Sequence, residues 1–385
     1  MIKSIYIDNF KSLVDFYLPP TPHHLTRFTC LIGLNGAGKS TLLQAFDFLG
    51  QLMTGKVDEW LIARDWKKTE LTSKLQKKQL ITFKVLLELP RIGEVVWSGL
   101  FNVNLLRCTS EFITIRDTFI LKLNDGQVAL PERKSSSIDF AYQGSILSQL
   151  KLNEQHHAPL IAIKTFMQSI KSLEMLSPHL MRKASRYADD VGRGGEKLSA
   201  FLSMLNNDQK SNILTKLKEF YPQLEQWDIK LLRTGWKKLS VREDYLDSSK
   251  RSLETDARHI NDGMLRILTL LAQTQTDHKF FLFDEIENGI NPELIDKLVN
   301  TLRDIEQQVI VTTHSPMILN YLPDTVARDA VILLYRDAKG ATKATRFFDL
   351  PVAAKKLTAM GPGEVFVDTY MEDVIRDLIQ AGESQ

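Results

Sequence analysis

Residues 28–46 read FTCLIGLNGAGKSTLLQAF, and this run constrains the chain more than any other. Gly33, Gly38, Lys39 and Ser40 stand in the order G-x-x-x-x-G-K-S, the spelling of a phosphate-binding loop. The context agrees with the spelling. Phe28 to Ile32 is a short apolar run of strand-forming residues, and Ser40 to Phe48 repeats apolar residues at helical spacing, so the loop joins a strand to a helix. Glycines let backbone N–H groups close around phosphates at a helix N-terminus, which already favours anions. Asn35, Gly36, Ala37, Gly38, Lys39, Ser40 and Thr41 are therefore the candidate nucleotide-binding residues. Lys39 would reach the β- and γ-phosphates, and the Ser40 hydroxyl would hold Mg²⁺. A glycine-rich turn with a chance lysine is the alternative, and it explains neither spacing nor context.

At 385 residues the chain can bury a large core, and its length allows two or three domains. Apolar residues make up 43% and charged residues 25%, ordinary values for a globular protein. A net charge of +2 argues against a strongly basic nucleic-acid coat but leaves room for a local basic patch. Cys30 and Cys108 offer neither a disulfide framework nor metal spacing, and read as buried thiols in a reducing compartment. The opening MIKSIYIDNF is broken by Lys3, Asp8 and Asn9 and has no secretory apolar core. No run approaches the roughly 18 apolar residues of a spanning helix. A cytoplasmic chain without direct membrane insertion is expected.

Residues 2–8 alternate like a strand, and Phe10-Lys11-Ser12 turns into a second one, Val14 to Leu18. Val57 to Lys78 reads as charged and irregular, a solvated face with Trp60 and Trp66 its only aromatics. Leu80 to Leu130 is strand-like and punctuated by Asn124-Asp125-Gly126, which predicts an antiparallel sheet beside the nucleotide site. Ser145 to Leu271 reads mostly as helices, interrupted by strand-like Trp227–Leu232 and Lys238–Val241. Residues 189–195 (DDVGRGG) form a turn ahead of a helix from Lys197 to Leu205. The last third alternates strands and helices again. The expected division is an N-terminal lobe (1–143), a mainly helical subdomain (144–258) and a C-terminal lobe (259–385).

Phe280 to Phe283 is a buried apolar strand ending in Asp284-Glu285, at the strand end where open α/β sheets place ligands. Asp284 would hold the Mg²⁺ shell and Glu285 would polarise an attacking water. A strand that happens to end in acids is the competing reading. His314 follows the apolar run 309–313, where it can reach a γ-phosphate or orient water, or serve as a turn residue. His156-His157 lack a carboxylate–histidine pattern and read as a polar loop.

Phosphate loop, Asp284-Glu285 and His314, in this order, resemble the ABC-type ATPase superfamily. The opening IKSIYIDNFKS resembles its RecF/SMC/OLD-like branch, whose members often begin with a strand and an N-F-K-S turn. Residues 259–266 (HINDGMLR) look like that branch's signature motif, with Asn261 where serine is usual, and Glu287 to Pro292 is similar to its E-N-G-x-x-P turn. The resemblance implies an α/β fold: a phosphate-loop head with a mixed sheet, a flanking antiparallel β-subdomain and a helical subdomain, without a long coiled coil. It also implies ATP and Mg²⁺ as cofactors, hydrolysis to ADP and phosphate, and a homodimer or higher homo-oligomer through sandwiched heads. In such a sandwich Asn261, Asp262 and Gly263 of one subunit complete the nucleotide site of the other. Gln143, after the antiparallel sheet, is the candidate for the loop glutamine that senses Mg²⁺ and water, against an ordinary loop glutamine. Arg64 is a second candidate for phosphate contact.

Three roles follow from the resemblance. A regulatory ATPase would control a separately encoded effector, a nuclease or toxin, in anti-phage or genome defence. A RecF-like ATPase would bind duplex DNA in repair. A transporter subunit is disfavoured, because Lys39 and Gly263 lie much farther apart than in that compact pattern. The stretch after His314 lacks the acidic pattern of the OLD nuclease, so DNA cleavage is expected of a partner.

Overall fold

The computed structural model describes residues 1–20, 22–131, 133–173, 176–244 and 252–383. β1 (Ile2–Asp8) and β2 (Phe16–Leu18) pair antiparallel, with Ile5 opposite Leu18. The turn between them is pinned: Asn9 adopts φ 65°, and its Nδ2 donates to the carbonyls of Lys78 and Leu80. β3 (Phe28–Ile32), buried throughout, feeds the glycine loop and α1 (Lys39–Thr54).

The next segment departs from the irregular reading. α2 (Val57–Ile62) is a helix that buries Val57, Trp60 and Leu61, the i, i+3, i+4 spacing of one helical face. Trp60 Nε1 donates to Asp47 Oδ2 at 2.6 Å, and its ring packs on Phe48 and Trp66. The charges around it masked a short apolar stripe.

β4 (Leu80–Leu89), β5 (Gly93–Asn102), β6 (Arg107–Ile115), β7 (Thr118–Asn124), β8 (Gln127–Leu130) and β9 (Arg133–Ser137) continue from β1 as a meander. They complete an antiparallel sheet in the order β2-β1-β4-β5-β6-β7-β8-β9. The β7–β8 turn is Asp125-Gly126, both at positive φ, which suits a two-residue hairpin.

From residue 144 to 258, helices alternate with strands. α3 (Glu154–Gln168), β10 (Ile170–Leu173), α4 (Pro178–Met181), α5 (Leu198–Met204) and α6 (Asn207–Phe220) precede β11 (Leu224–Leu231), β12 (Lys237–Asp244) and β13 (Ser252–Asp256). The last three form their own antiparallel sheet, while β10 joins the central sheet beside β14. A four-residue strand is too short for periodicity to separate it from helix, which is why its sequence reads as helical.

α7 (Asp262–Gln273), β14 (Phe280–Phe283), α8 (Pro292–Asp304) and β15 (Gln308–Thr312) follow, then α9 (Pro316–Asn320), α10 (Asp324–Ala330), β16 (Val331–Arg336) and β17 (Thr342–Arg346). α11 (Pro351–Lys356), α12 (Pro362–Val367) and α13 (Met371–Glu383) close the described chain. The central sheet runs β10-β14-β15-β3-β16-β17, parallel except for β17. Alternate side chains of its strands supply two cores. Cys30, Phe281, Phe283, Val309 and Val311 pack under α7 and α8, while Leu31, Phe280, Leu282 and Ile310 face α1 and the antiparallel sheet. Burial on both faces explains the near-continuous apolar runs of these strands. The longest helix among the described residues is α1, at 16 residues, so no coiled coil is present there and no described helix is long and apolar enough to cross a membrane. β14, β15 and β3 end at one edge, and that edge collects Asp284-Glu285, His314 and the glycine loop.

Candidate active site at the carboxyl edge of the central sheet

Two glycines shape the loop. A Cβ on Gly33 (φ 147°) would lie 2.3 Å from the Leu334 carbonyl oxygen, and one on Gly38 (φ 109°) would lie 2.3 Å from Thr342 Oγ1. The Thr342 hydroxyl cannot easily give way: it donates to the Ala37 carbonyl at 3.0 Å and bonds Ser12 Oγ at 2.8 Å. The N-F-K-S turn thus braces the phosphate loop through β17.

Inside this cradle Lys39 is buried, and its Nζ donates to the carbonyls of Gly33 (2.7 Å) and Leu34 (3.2 Å). Burial pushes its ammonium below the ordinary lysine value, and the carboxylates of Asp284, Glu285 and Glu287 pull the other way. Ser40 Oγ donates to Asp284 Oδ2 at 2.9 Å. β15 lies between β14 and β3, and Thr312 spans the gap: its hydroxyl donates to Asp284 Oδ1 and accepts the Glu285 N–H at 2.9 Å. Glu285 occupies the left-handed region at φ 47°, an uncommon conformation for a non-glycine residue. Its exposed carboxylate lies 3.6 Å from His314 Nε2. Glu287 closes the group. Its Oε1 accepts from the Thr313 hydroxyl (2.9 Å) and the His314 N–H (2.8 Å), while Oε2 is buried without a hydrogen-bond partner.

The structure therefore brings Lys39, Ser40, Asp284, Glu285 and His314 to one edge. Asn261, Asp262 and Gly263 form the start of α7, a separate feature. Asn261 is its N-cap, Oδ1 accepting from Met264 N at 2.7 Å. Asp262 pairs with Arg182, which also donates to the Ile260 carbonyl at 2.7 Å. A Cβ on Gly263 would meet the Gly289 carbonyl oxygen at 3.2 Å, so the turn after Glu287 packs against this helix start.

Gln143 is a correction. Its Oε1 accepts from the Asp58 N–H at 2.9 Å, and the Ser145 N–H donates to the carbonyl of Leu52, in the last turn of α1. At 1.5 Å rise per residue, Leu52 lies about 20 Å along α1 from Lys39. Gln143 therefore caps the start of α2, beyond the far end of α1, and is out of reach of a metal at Ser40. Arg64 is likewise committed elsewhere, to Asp47 and to the faces of Trp60 and Trp66. His156 and His157 stand in the first turn of α3 rather than in a loop, and His157 Nδ1 accepts from the N–H of the N-cap Asn153 at 3.0 Å. The described residues contain no metal-ligating cluster of histidine, cysteine and carboxylate side chains.

The sequence reading passed over Thr312 and Arg336, and it placed Glu287 in a motif without the role of holding Thr313 and His314. Thr312 and Thr313 are polar residues ending an otherwise apolar strand, a readable signal of hydroxyl work at the edge. Arg336 Nε donates to the Gly36 carbonyl at 2.8 Å, and Nη1 to that of Gly340 at 2.6 Å. Beside it opens a cleft of about 400 Å³, walled by Lys11, Trp66, Glu70 and Leu75, with the Lys11 ammonium 3.3 Å from the Trp66 ring centre. Nothing in the spacing of Arg336 marks it in advance.

A family model described as AAA ATPase domain matches residues 1–271. The chain belongs to the AAA ATPase domain family. A second AAA-domain model, whose description names the AbiEii toxin and a Type IV TA system, matches residues 238–320 of this family member. Among solved structures, an SMC head bound to the C-terminal winged-helix domain of ScpA aligns over 89% of this chain and 97% of that one, at 13% identity and TM-score 0.56. An SMC head with an extended coiled coil from Pyrococcus furiosus, bound to the C-terminal domain of ScpA, aligns over 93% and 99%, at 12% identity and TM-score 0.54. No curated protein sequence matches. This AAA ATPase-family chain thus has the head fold of SMC proteins.

Proposed function

We propose that this chain binds and hydrolyses ATP, that nucleotide closes two of its heads upon each other, and that closure controls a separately encoded effector. The observation that carries the first step is the continuous hydrogen-bonded path from Ser40 through Asp284 and Thr312 to Glu285, with His314 3.6 Å beyond. Ser40 Oγ and Asp284 Oδ2 are hard oxygen donors that suit Mg²⁺, and bound there the ion would neutralise charge on the β- and γ-phosphates. Lys39 would exchange the Gly33 and Leu34 carbonyls for phosphate oxygens. Glu285 would accept the proton of the attacking water, and His314 would hold water and carboxylate in line.

The start of α7 supports the dimer reading. Its capped N-terminus carries a positive dipole end suited to a γ-phosphate presented by a second head. The family match to residues 238–320, described with a toxin and a TA system, supports an effector-coupled defence role over RecF-like repair. The test is Glu285→Gln with ATP and Mg²⁺. Retained binding, turnover reduced at least a hundredfold and a light-scattering mass of two chains are expected. Unchanged turnover would move the base elsewhere, and a monomer with ATP bound would remove the closure step. Purified from native cells in that closed state, the variant should carry a stoichiometric nuclease or toxin. Repair factors or bound duplex DNA instead would favour the RecF-like role.

A further inference from the structure

The three-stranded sheet β11-β12-β13 changes character along its length. On its strands charges cancel: Lys230 pairs with Glu254, Lys238 with Asp256, and Arg242 stands 3.9 Å from Glu225 and 3.8 Å from Asp228. At the β11–β12 turn this stops. Arg233 and Lys237 there, with Lys183 and Arg186 on the loop after α4, make no ion pair among the described residues. Within segments 181–189 and 229–239 the single acidic residue is Asp189.

Turn and loop are one rigid ledge. Ser185 and Lys237 form a β-bridge through both backbone hydrogen bonds, at 3.1 and 2.9 Å. Arg186 Nη2 donates to the Thr234 carbonyl at 2.6 Å, and Lys237 Nζ donates to the Arg186 carbonyl at 3.1 Å. The Arg186 guanidinium sits 5.3 Å from the Trp236 ring centre and holds that ring in place. On this ledge Tyr187 is 85% exposed, Leu231 73% and Trp236 39%.

We infer that the ledge binds single-stranded nucleic acid. Unpaired cations beside open aromatic rings, on backbone already fixed, suit a phosphate chain whose bases are free to stack. A duplex keeps its base faces covered and could use only the cations. Tyrosine, tryptophan and arginine also favour protein interfaces, but lysine is depleted there, so a protein partner would leave Lys183 and Lys237 without a use that a phosphate chain supplies. The contacts that carry the inference, cations to phosphates and rings to base faces, are common to DNA and RNA, so strands of either kind should bind alike. Arg182, next to Lys183, ties this loop to the start of α7 through Asp262 and the Ile260 carbonyl. A bound strand would therefore report directly to the helix end that the proposed dimer uses. The inference goes beyond the proposed function and does not depend on it.

The test is fluorescence anisotropy of the full chain with labelled oligo(dT), oligo(U) and a duplex of equal length, across about 50 to 200 mM salt. Expected are comparable affinities for the two single strands, weaker duplex binding, and a log–log salt slope near −3 for four cations. Tyr187→Ala, at a site too exposed to affect folding, should weaken single-strand binding about tenfold and leave the slope and basal ATP hydrolysis unchanged. Arg233→Ala with Lys237→Ala should flatten the slope by roughly 1.4. Preference for duplex, no binding by the unaltered chain, or binding that all three substitutions leave intact would overturn the inference.

Discussion

Glu287 Oε1 accepts the backbone N–H of His314 at 2.8 Å and so fixes the histidine to the turn that follows Glu285. The same oxygen takes the Thr313 hydroxyl at 2.9 Å, and the other oxygen stays buried and unbonded. One carboxylate thus sets the spacing between the two residues proposed to act on water. Glu287→Ala frees the His314 end of β15, and a misplacement near 1 Å costs about a hundredfold in rate. The expected result is kcat lower by about one to two orders of magnitude with nucleotide affinity within about threefold. Fluorescent-nucleotide titration beside steady-state turnover separates the two, and an equal loss in both would make Glu287 a binding residue.

Thr312→Val tests the bridge between β14 and β15. Valine keeps the shape but removes the hydroxyl that serves Asp284 and the Glu285 N–H. An orphaned buried donor costs about 1–3 kcal/mol. Urea unfolding should show that loss, together with slower turnover, because the Thr312 hydroxyl helps to hold Glu285 at φ 47°. Turnover unchanged at full stability loss would show that Glu285 does not depend on Thr312.

The glycine loop gives a rank order. Gly38→Ala sets a Cβ 2.3 Å from the fixed Thr342 hydroxyl, at φ 109°, whereas a Cβ on Gly36 (φ 78°) meets nothing within 4 Å. Both substitutions strain the backbone, but only the first also displaces a bonded neighbour. Gly38→Ala should lower the unfolding free energy by about 1–3 kcal/mol more than Gly36→Ala, measured in the same denaturant series. A reversed order would mean that Thr342 yields.

Much of this site was legible because its spacing is set by chemistry. A strand, a glycine loop and a helix must be contiguous to hold phosphate, so Gly33 to Ser40 carry their meaning locally. Asp284-Glu285 and His314 end apolar strands, and parallel strands share a carboxyl edge, which joins them without a structure. What the sequence withheld is non-local. Gln143 follows the antiparallel sheet, as expected of a sensor glutamine, yet the sheet delivers it to the wrong end of α1. Arg336 reaches Gly36 across 300 positions by a strand order no periodicity encodes. Trp60 and Trp66 read as stray aromatics in a charged run because the partners that bury them, Asp47 and Phe48 on α1 and Lys11 in the β1–β2 turn, lie outside that run.

Glu111 supplies a prediction about pH. It is fully buried in β6, where its carboxylate accepts from Trp97 Nε1 at 2.8 Å, from Ile146 N at 3.0 Å and from Ser145 Oγ. Burial nonetheless dominates and raises its pKa above the ordinary glutamate value of 4.5, with the three hydrogen bonds opposing. Above 4.5 the unfolded chain releases this proton while the folded chain still holds it, so the folded state binds more protons and loses stability as pH rises through the folded pKa. Glu111→Gln keeps a side-chain acceptor and removes the titration. Denaturation midpoints from pH 7 down to pH 5 should therefore rise for the unaltered chain relative to Glu111→Gln. A constant difference across that range would mean that the three donors hold Glu111 ionised in the fold.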